Sequence, residues 1–295
     1  MTITQQFKTA DRPLISVEFF PPKTDAGRRT FEQAANELIG LNPDFVSVTC
    51  GAGGTAAGPT LEVCTQLAGL GYGSIMPHCT CVGMSRADLA ASSDAIVEQG
   101  FNHVMALRGD PPRGESVFQP APDGFQYAAE LVAFLRERHL GLCIGVAGYP
   151  EKHPEAATLD EDIAHLKEKV DAGADFITTQ LFLDNRVYFE FVDKCRSAGI
   201  SVPILPGLLP VISLEQINRM QAFCDFNVPG KFRHDLEAAQ DNPAKAERIG
   251  LYWAMEQISE LAEAGAPGIH LYLLNRAQTV FYPELFACLS RVRGS

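Results

Sequence analysis

Arg108-Gly109-Asp110 follows the apolar run 104–107 and sets a guanidinium and a carboxylate on either side of a glycine. Pro111 and Pro112 come next and, having no N–H to give, stop further strand pairing. Charge at the end of a buried strand is costly unless it is paired or used. A single strand end of this kind is an ordinary solvated turn, but here the design recurs. Strand alternation sets Ser16 and Glu18 opposite Val17 and Phe19, and Ser47 and Thr49 opposite Val46 and Val48. It also sets Thr178 and Gln180 opposite Ile177 and Leu181, and His270 and Tyr272 opposite Ile269 and Leu271. Buried Ser, Thr and Gln can satisfy one another, and a Glu can pair with a cation. Glu18, Thr49, His78, Asp110 and Gln180 all closing strands on one side instead suggest a reaction mouth, with a carboxyl for proton transfer and amides to orient a substrate.

Two further stretches are dense in polar groups. Tyr149-Pro150-Glu151-Lys152-His153-Pro154-Glu155-Ala156 is too polar and proline-rich for a core. After it, Asp162, His165 and Lys169 share one face of a helix. That stripe reads as a solvated surface or, beside Tyr149 and His153, as a cradle for the diphosphate and ribose of a nucleotide. His78-Cys79-Thr80-Cys81 invites a metal, but on a strand the histidine and the cysteines face opposite ways, and no second cluster completes a tetrahedron. No metal site is expected.

The elements that must position these groups alternate. β-rich runs at 14–20, 44–50, 74–81, 103–107, 142–147, 175–182, 202–206 and 268–274 are separated by apolar residues at helical spacing, such as Phe31, Ala34, Ala35 and Leu38. Gly100, Gly173, Gly199 and Gly265 sit where helices should end. Strand and helix repeated eight times point to an α/β fold, a (β/α)₈ TIM barrel in one catalytic domain spanning 1–295. A doubly wound open sheet is the alternative. Roughly 60 residues separate the last two strands, more than one crossover needs, so extra helices are expected at 213–223, 230–239 and 243–265. The first dozen residues read as a frayed lead-in.

Composition narrows the class. The chain has 295 residues, 46% hydrophobic and 20% charged, with a net charge of −12. That charge disfavours a nucleic-acid partner. No apolar run reaches the length of a membrane span, and no early basic-plus-apolar segment resembles a signal peptide, so none is expected. The eight cysteines form no secreted framework, and a reduced, cytoplasmic setting is expected.

In these motifs the chain resembles the methylenetetrahydrofolate reductase family. The resemblance runs, in order, through Val17-Glu18-Phe19-Phe20-Pro21-Pro22-Lys23, Ser47-Val48-Thr49-Cys50-Gly51-Ala52-Gly53-Gly54, Pro77-His78-Cys79-Thr80-Cys81 and Ala106-Leu107-Arg108-Gly109-Asp110. It continues through 149–156, Lys169-Val170-Asp171-Ala172-Gly173-Ala174, Pro206-Gly207-Leu208-Leu209-Pro210 and Leu274-Asn275-Arg276-Ala277. It implies a barrel that binds FAD without a dinucleotide fold, and the chain indeed has no Gly-x-Gly-x-x-Gly after a strand. By motif, Thr49, His78, Arg108, Gly109, Asp110, Tyr127, Ala128, Tyr149, His153, Asp162, His165 and Lys169 would contact FAD. Glu18, Asp110, Gln180, Gln216, Tyr272 and Arg276 would line the folate site. Met220 stands where some bacterial members have a stacking Phe, and Glu168 where some have a basic residue.

The resemblance further implies ping-pong hydride transfer. NADH or NADPH would reduce FAD, and reduced FAD would convert 5,10-methylenetetrahydrofolate to 5-methyltetrahydrofolate, in the one-carbon metabolism that serves methionine biosynthesis. Glu18 would be the acid that opens the folate's bridging ring, with burial raising its pKa toward working pH. Asp110 would stabilise the iminium that follows. A pterin-dependent methyltransferase, a non-catalytic folate-binding barrel and a metal-dependent barrel hydrolase are the rivals; the last would want two histidines at i, i+2 on an early strand. Partners are small molecules, with a homo-oligomer possible. Larger eukaryotic relatives carry a C-terminal domain that senses S-adenosylmethionine; 278–295 suffice only for a closing helix, so no such inhibition is expected.

Overall fold

A computed structural model describes residues 1–50, 58–110, 118–221 and 224–294. Gly51-Ala52-Gly53-Gly54, Pro111, Pro112 and the end of the expected 213–223 helix lie outside them. The described chain alternates as anticipated. In order come α1 (Ile3–Thr9), β1 (Leu14–Phe19), α2 (Asp25–Leu38), β2 (Phe45–Val48), α3 (Gly58–Gly69), β3 (Ile75–Thr80), α4 (Arg86–Glu98) and β4 (His103–Leu107). Then follow α5 (Ala128–Arg138), β5 (Cys143–Gly148), α6 (Leu159–Asp171), β6 (Phe176–Thr179), α7 (Asn185–Ser197), β7 (Ile204–Leu205) and β8 (Gly207–Leu208). The chain continues with α8 (Leu214–Gln221), α9 (Gly230–Glu237), α10 (Pro243–Glu263), β9 (Gly268–Tyr272) and α11 (Pro283–Val292).

Every strand pair is parallel, in the order β7-β6-β5-β4-β3-β2-β1-β9-β8. Chain order therefore runs around the sheet, and β7 and β8 are consecutive in the chain, so the sheet closes as a TIM barrel and the doubly wound alternative falls. The expected seventh strand is two short ones. Pro206, with no N–H, separates Ile204–Leu205, which pair with β6, from Gly207–Leu208, which pair with β9. Several strands end earlier than their β-rich runs, which leaves Thr49 and Gln180 one residue beyond β2 and β6. Gly100, Gly173, Gly199 and Gly265 all have positive φ after their helices, the conformation that ends a helix and turns the chain back to the sheet.

Pleating sorts the side chains. Val17, Phe19, Val46, Val48, Ile177, Ile269 and Leu271 pack outward beneath the helices. Cys79 and Cys81 join them, which removes them from any metal set with His78. The lumen takes the other face. Its floor is apolar, built of Phe45, Met76, Met105, Cys143, Phe176 and Leu205. Gly145 makes room for Phe176, since a Cβ there would meet the ring at 2.7 Å.

The N-terminal lead-in is not frayed. Thr2 and Gln5 form a capping box that starts α1, and the helix stoppers the floor with fully buried Ile3 and with Phe7 against Phe176. Its apolar face is only a residue or two wide, too short for periodicity to reveal. Between β8 and β9, α8 and α9 form the expected insertion and α10 the long helix after it. Phe226, Phe232 and Leu236 pack with Leu181, Leu183, Leu209 and Val211 in a small core of their own. No helix among the described residues is long and apolar enough to cross a membrane.

Candidate active site

The polar lumen begins one layer above the floor. Ser16 and Glu18 on β1 pair in register with His270 and Tyr272 on β9, and Glu18 with Ser47 on β2. Ser16 Oγ meets His270 Nδ1 at 2.8 Å, and Ser47 Oγ donates to Glu18 Oε2 at 3.4 Å. The same Glu18 oxygen lies 3.4 Å from His78 Nε2 and 3.9 Å from His270 Nε2. His78 Nε2 is misaligned for a hydrogen bond to it and is buried without a hydrogen-bond partner. One carboxylate thus faces two imidazoles.

This arrangement overturns the expected rise of the Glu18 pKa. Burial pushes the carboxyl up, but His270, His78 and the Ser47 hydroxyl together hold it below its ordinary value. Burial pushes His78 down, against the pull of Glu18. The sequence identified the carboxyl but not the histidine pair aimed at it from β3 and β9.

Above this cluster stands a cationic group. Arg108 makes a two-pronged ion pair with Glu155, both bonds 2.6 Å, and its guanidinium lies 4.7 Å from the Phe118 ring centroid. Lys169 Nζ donates to Ala147 O at 3.0 Å, and burial lowers its pKa to about 8. His153 packs edge-on to Tyr149 at 4.7 Å, and its backbone N–H donates to Asp162 Oδ2 at 3.0 Å. In a chain of net charge −12, two cations, Arg108 and Lys169, thus stand close to the His153 imidazole, whose pKa burial and both cations lower.

The backbone is shaped to the same end. Gly109 has φ +87°, and a Cβ there would strike Val82 Cγ1 at 2.6 Å, so no side chain fits beside Arg108. Asp110 is exposed beyond the end of β4. Thr49 N donates to Phe19 O at 2.9 Å, which fixes this residue just past β2. Tyr127 caps α5, with Ala128 buried behind it, and its ring stacks with His165 at 6.4 Å and 9° on the rim. The expected Asp162–His165–Lys169 stripe therefore splits, with Asp162 buried, Lys169 turned inward and His165 exposed.

The proposed folate-side residues are less gathered. Tyr272 lies in the lumen, where its hydroxyl donates to Thr179 O at 2.7 Å, and burial raises its pKa well above 10. Gly207 permits that contact, because a Cβ would fall 2.6 Å from the Tyr272 ring. Gln180 Oε1 accepts from Leu181 N, and Gln216 Oε1 from Ile212 N, so each amide is held by neighbouring backbone. Met220 lies on α8 against the insertion's core, and Arg276 is exposed after β9. Thr178 Oγ1, between β5 and β7, is buried with no hydrogen-bond partner.

A family model described as methylenetetrahydrofolate reductase matches residues 2–282. An Arabidopsis thaliana protein named methylenetetrahydrofolate reductase (NADH) 1 is 37% identical over 93% of this chain and 47% of its own length. The chain thus spans about half the length of that plant relative. A Pectobacterium carotovorum protein named 5,10-methylenetetrahydrofolate reductase is 36% identical over 90% of this chain and 86% of its own length. Among solved structures, an uncharacterized Clostridium thermocellum protein that binds two copies of 5-methyl-5,6,7,8-tetrahydrofolic acid aligns with TM-score 0.64. It is 16% identical and the alignment covers 99% of this chain and 98% of that one, a likeness of fold alone.

Proposed function

Because the chain belongs to the methylenetetrahydrofolate reductase family, we propose that it reduces 5,10-methylenetetrahydrofolate to 5-methyltetrahydrofolate, with FAD as resident cofactor and NADH or NADPH as donor. The observation that carries this reading is the pairing of one buried carboxyl, Glu18, with an anion site at the same mouth. The residues fit a phosphate-bearing heteroaromatic group: Arg108 and Lys169 supply cations, His153, whose pKa burial lowers, supplies a neutral imidazole, Gly109 leaves its backbone open, and His78 Nε2 and Thr178 Oγ1 are buried polar atoms without partners. Bound FAD supplies hydride transfer between the nicotinamide and the folate.

Arg108, Lys169 and His153 would hold the phosphates, while Thr49, His78, Gly109, Asp110, Tyr127, Ala128, Tyr149, Asp162 and His165 would line the rest of the cofactor site. Glu18 gives a proton to the folate nitrogen that must leave when the bridging ring opens. Its lowered pKa makes it a carboxylate at rest, so it has to take up a proton from solvent as the substrate binds. A folate filling the mouth removes water and adds to the burial that already pushes Glu18 up. His270 Nε2 lies 3.9 Å from the same Glu18 oxygen, and Ser16 at 2.8 Å from its other ring nitrogen fixes the ring toward the carboxyl. Asp110 stabilises the cationic iminium. Gln180, Gln216 and Tyr272 orient the pterin, Met220 packs against a substrate ring, and Arg276 meets the folate's carboxylate tail.

A pterin-dependent methyltransferase would leave the Arg108, Lys169 and His153 group with no anion to bind. The visible spectrum of the purified protein separates the two. A yellow protein that bleaches with NADH or NADPH and regains colour with methylenetetrahydrofolate supports the reductase; a colourless one that takes up no added FAD refutes it.

A further inference from the structure

The β5–α6 loop carries Tyr149 and His153 on one side of the mouth, and α8 carries Gln216 and Met220 on another. Among the described residues, the Glu151 side chain joins these two walls by hydrogen bonds. Glu151 Oε2 accepts the backbone N–H of Asn227 at 2.9 Å, and it also accepts the Asn227 side-chain amide. Asn227 lies in the linker between α8 and α9, 76 residues away in the chain. We propose that Glu151 is a positioning residue for substrate binding: through Asn227 it fixes the α8 arm relative to the cofactor loop.

Both ends of this tie are anchored. On the loop side, Lys152 N donates to Tyr149 O at 3.0 Å, closing a turn around Pro150 and Glu151. Lys152 itself has φ +78°, a strained conformation for a side-chain-bearing residue, and its Nζ holds His153 O and Ala156 O at 3.1 and 2.6 Å. That turn sets Glu151 toward Asn227 while the Tyr149 and His153 rings pack on each other. On the arm side, Gln221 Nε2 donates to Phe226 O at 3.1 Å, and Phe226 is buried in the insertion's core with Ile217 of α8. Movement at Asn227 is thus passed to α8 through one hydrogen bond and one packed ring.

The chemistry of the tie is acceptor geometry rather than charge. Burial raises the Glu151 pKa and Asp184 adds to the rise, while the two Asn227 donors oppose it. Glu151 Oε1 is buried and has no hydrogen-bond partner, beside a cavity of about 280 Å³ lined by Glu151, Gln221, Asp225, Phe226 and Asn227. A glutamine keeps one oxygen for both Asn227 donors and sheds the charge. An alanine removes the tie and leaves both walls folded on their own anchors.

The kinetic part of the test rests on the reductase reading; the exchange part does not. Amide hydrogen exchange at Asn227 should quicken about tenfold in Glu151→Ala and return to the wild-type rate in Glu151→Gln. In steady-state folate reduction, Glu151→Ala should raise KM for folate and nicotinamide about tenfold and leave kcat within about threefold, and Glu151→Gln should restore both KM values. Asn227→Ala should add nothing to Glu151→Ala in the double variant. Unchanged exchange in Glu151→Ala, additive KM effects, or a Glu151→Gln protein as impaired as the alanine variant each overturn the proposal. If wild-type protein neither binds flavin nor reduces folate, the functional reading fails, and exchange at Asn227 alone decides whether the tie exists.

Discussion

The floor and the mouth of the barrel are built from the same strands, a few residues apart, and they treat polar groups in opposite ways. At the floor, the charged groups and the histidine are consumed by structure. Arg12 grips Asp44 with two bonds, 2.9 and 2.7 Å, while Asp44 Oδ2 accepts the N–H of Ile15 where β1 begins. Arg136, Asp175 and the N–H of Ile144 repeat that arrangement at β5. His103 accepts the N–H of Ile3 through Nε2, and burial lowers its pKa to about 4, which keeps it neutral for the task. At the mouth, His78 Nε2 and Thr178 Oγ1 are buried polar atoms left over, and half-buried Lys169 has a weakened hold on its proton. Desolvated polarity without an internal partner has a cost; at the floor Gln6 Oε1 alone among the described residues bears it, while the mouth gathers both His78 and Thr178, where a ligand would repay it.

The sharpest way to test this contrast is to change one residue in each region. Glu18→Gln should slow folate-dependent reoxidation of the flavin by ~10²–10⁴-fold while leaving flavin reduction by nicotinamide nearly intact, as read by anaerobic stopped-flow absorbance. Equal slowing of both half-reactions would remove Glu18 from the acid role. Phe176→Ala in the floor should do the reverse. It should cost about 3–5 kcal/mol of stability in denaturant unfolding and leave both half-reactions of the folded protein within a few-fold of wild type.

pH should divide the two regions as well. His103 has a folded pKa of about 4, below its ordinary 6.5, so the unfolded chain binds more protons between those values. Stability should therefore fall as pH drops from 6.5 toward 4, and His103→Gln should flatten that part of the unfolding profile. Lys169 has a folded pKa of about 8, and it loses its charge as pH rises through that value. FAD affinity should weaken above pH 8, by up to about tenfold per pH unit, in a fluorescence titration of flavin-free protein. The same shift makes the unfolded chain the better proton binder between 8 and 10.5, so this group's contribution to stability rises with pH while binding falls. The smallest effect belongs to the rim. Glu155 occupies the Arg108 guanidinium that a phosphate would use, and half of its side chain is exposed. Glu155→Gln should tighten FAD about fivefold at most; weaker binding would make Glu155 part of the cofactor site instead of a competitor for it.

The amino-acid sequence alone determined the alternation of elements, the barrel, the insertion before the last strand and the side chains that face the lumen. Each rests on a local rule: period-two alternation for Ser16 and Glu18, helical spacing for Phe31 to Leu38, a left-handed glycine for Gly173. The ordered motifs determined the family for the same reason, since each is a contiguous stretch. The tertiary structure decided what depends on residues distant in the chain. Whether α1 was frayed depended on a floor assembled from six other segments. The direction of the Glu18 pKa depended on His78 and His270, 60 residues after it in one case and 252 in the other. Burial alone predicts a rise. Two imidazoles and a hydroxyl converging on one oxygen reverse it, because electrostatic energy is set by distance through space and not by separation along the chain.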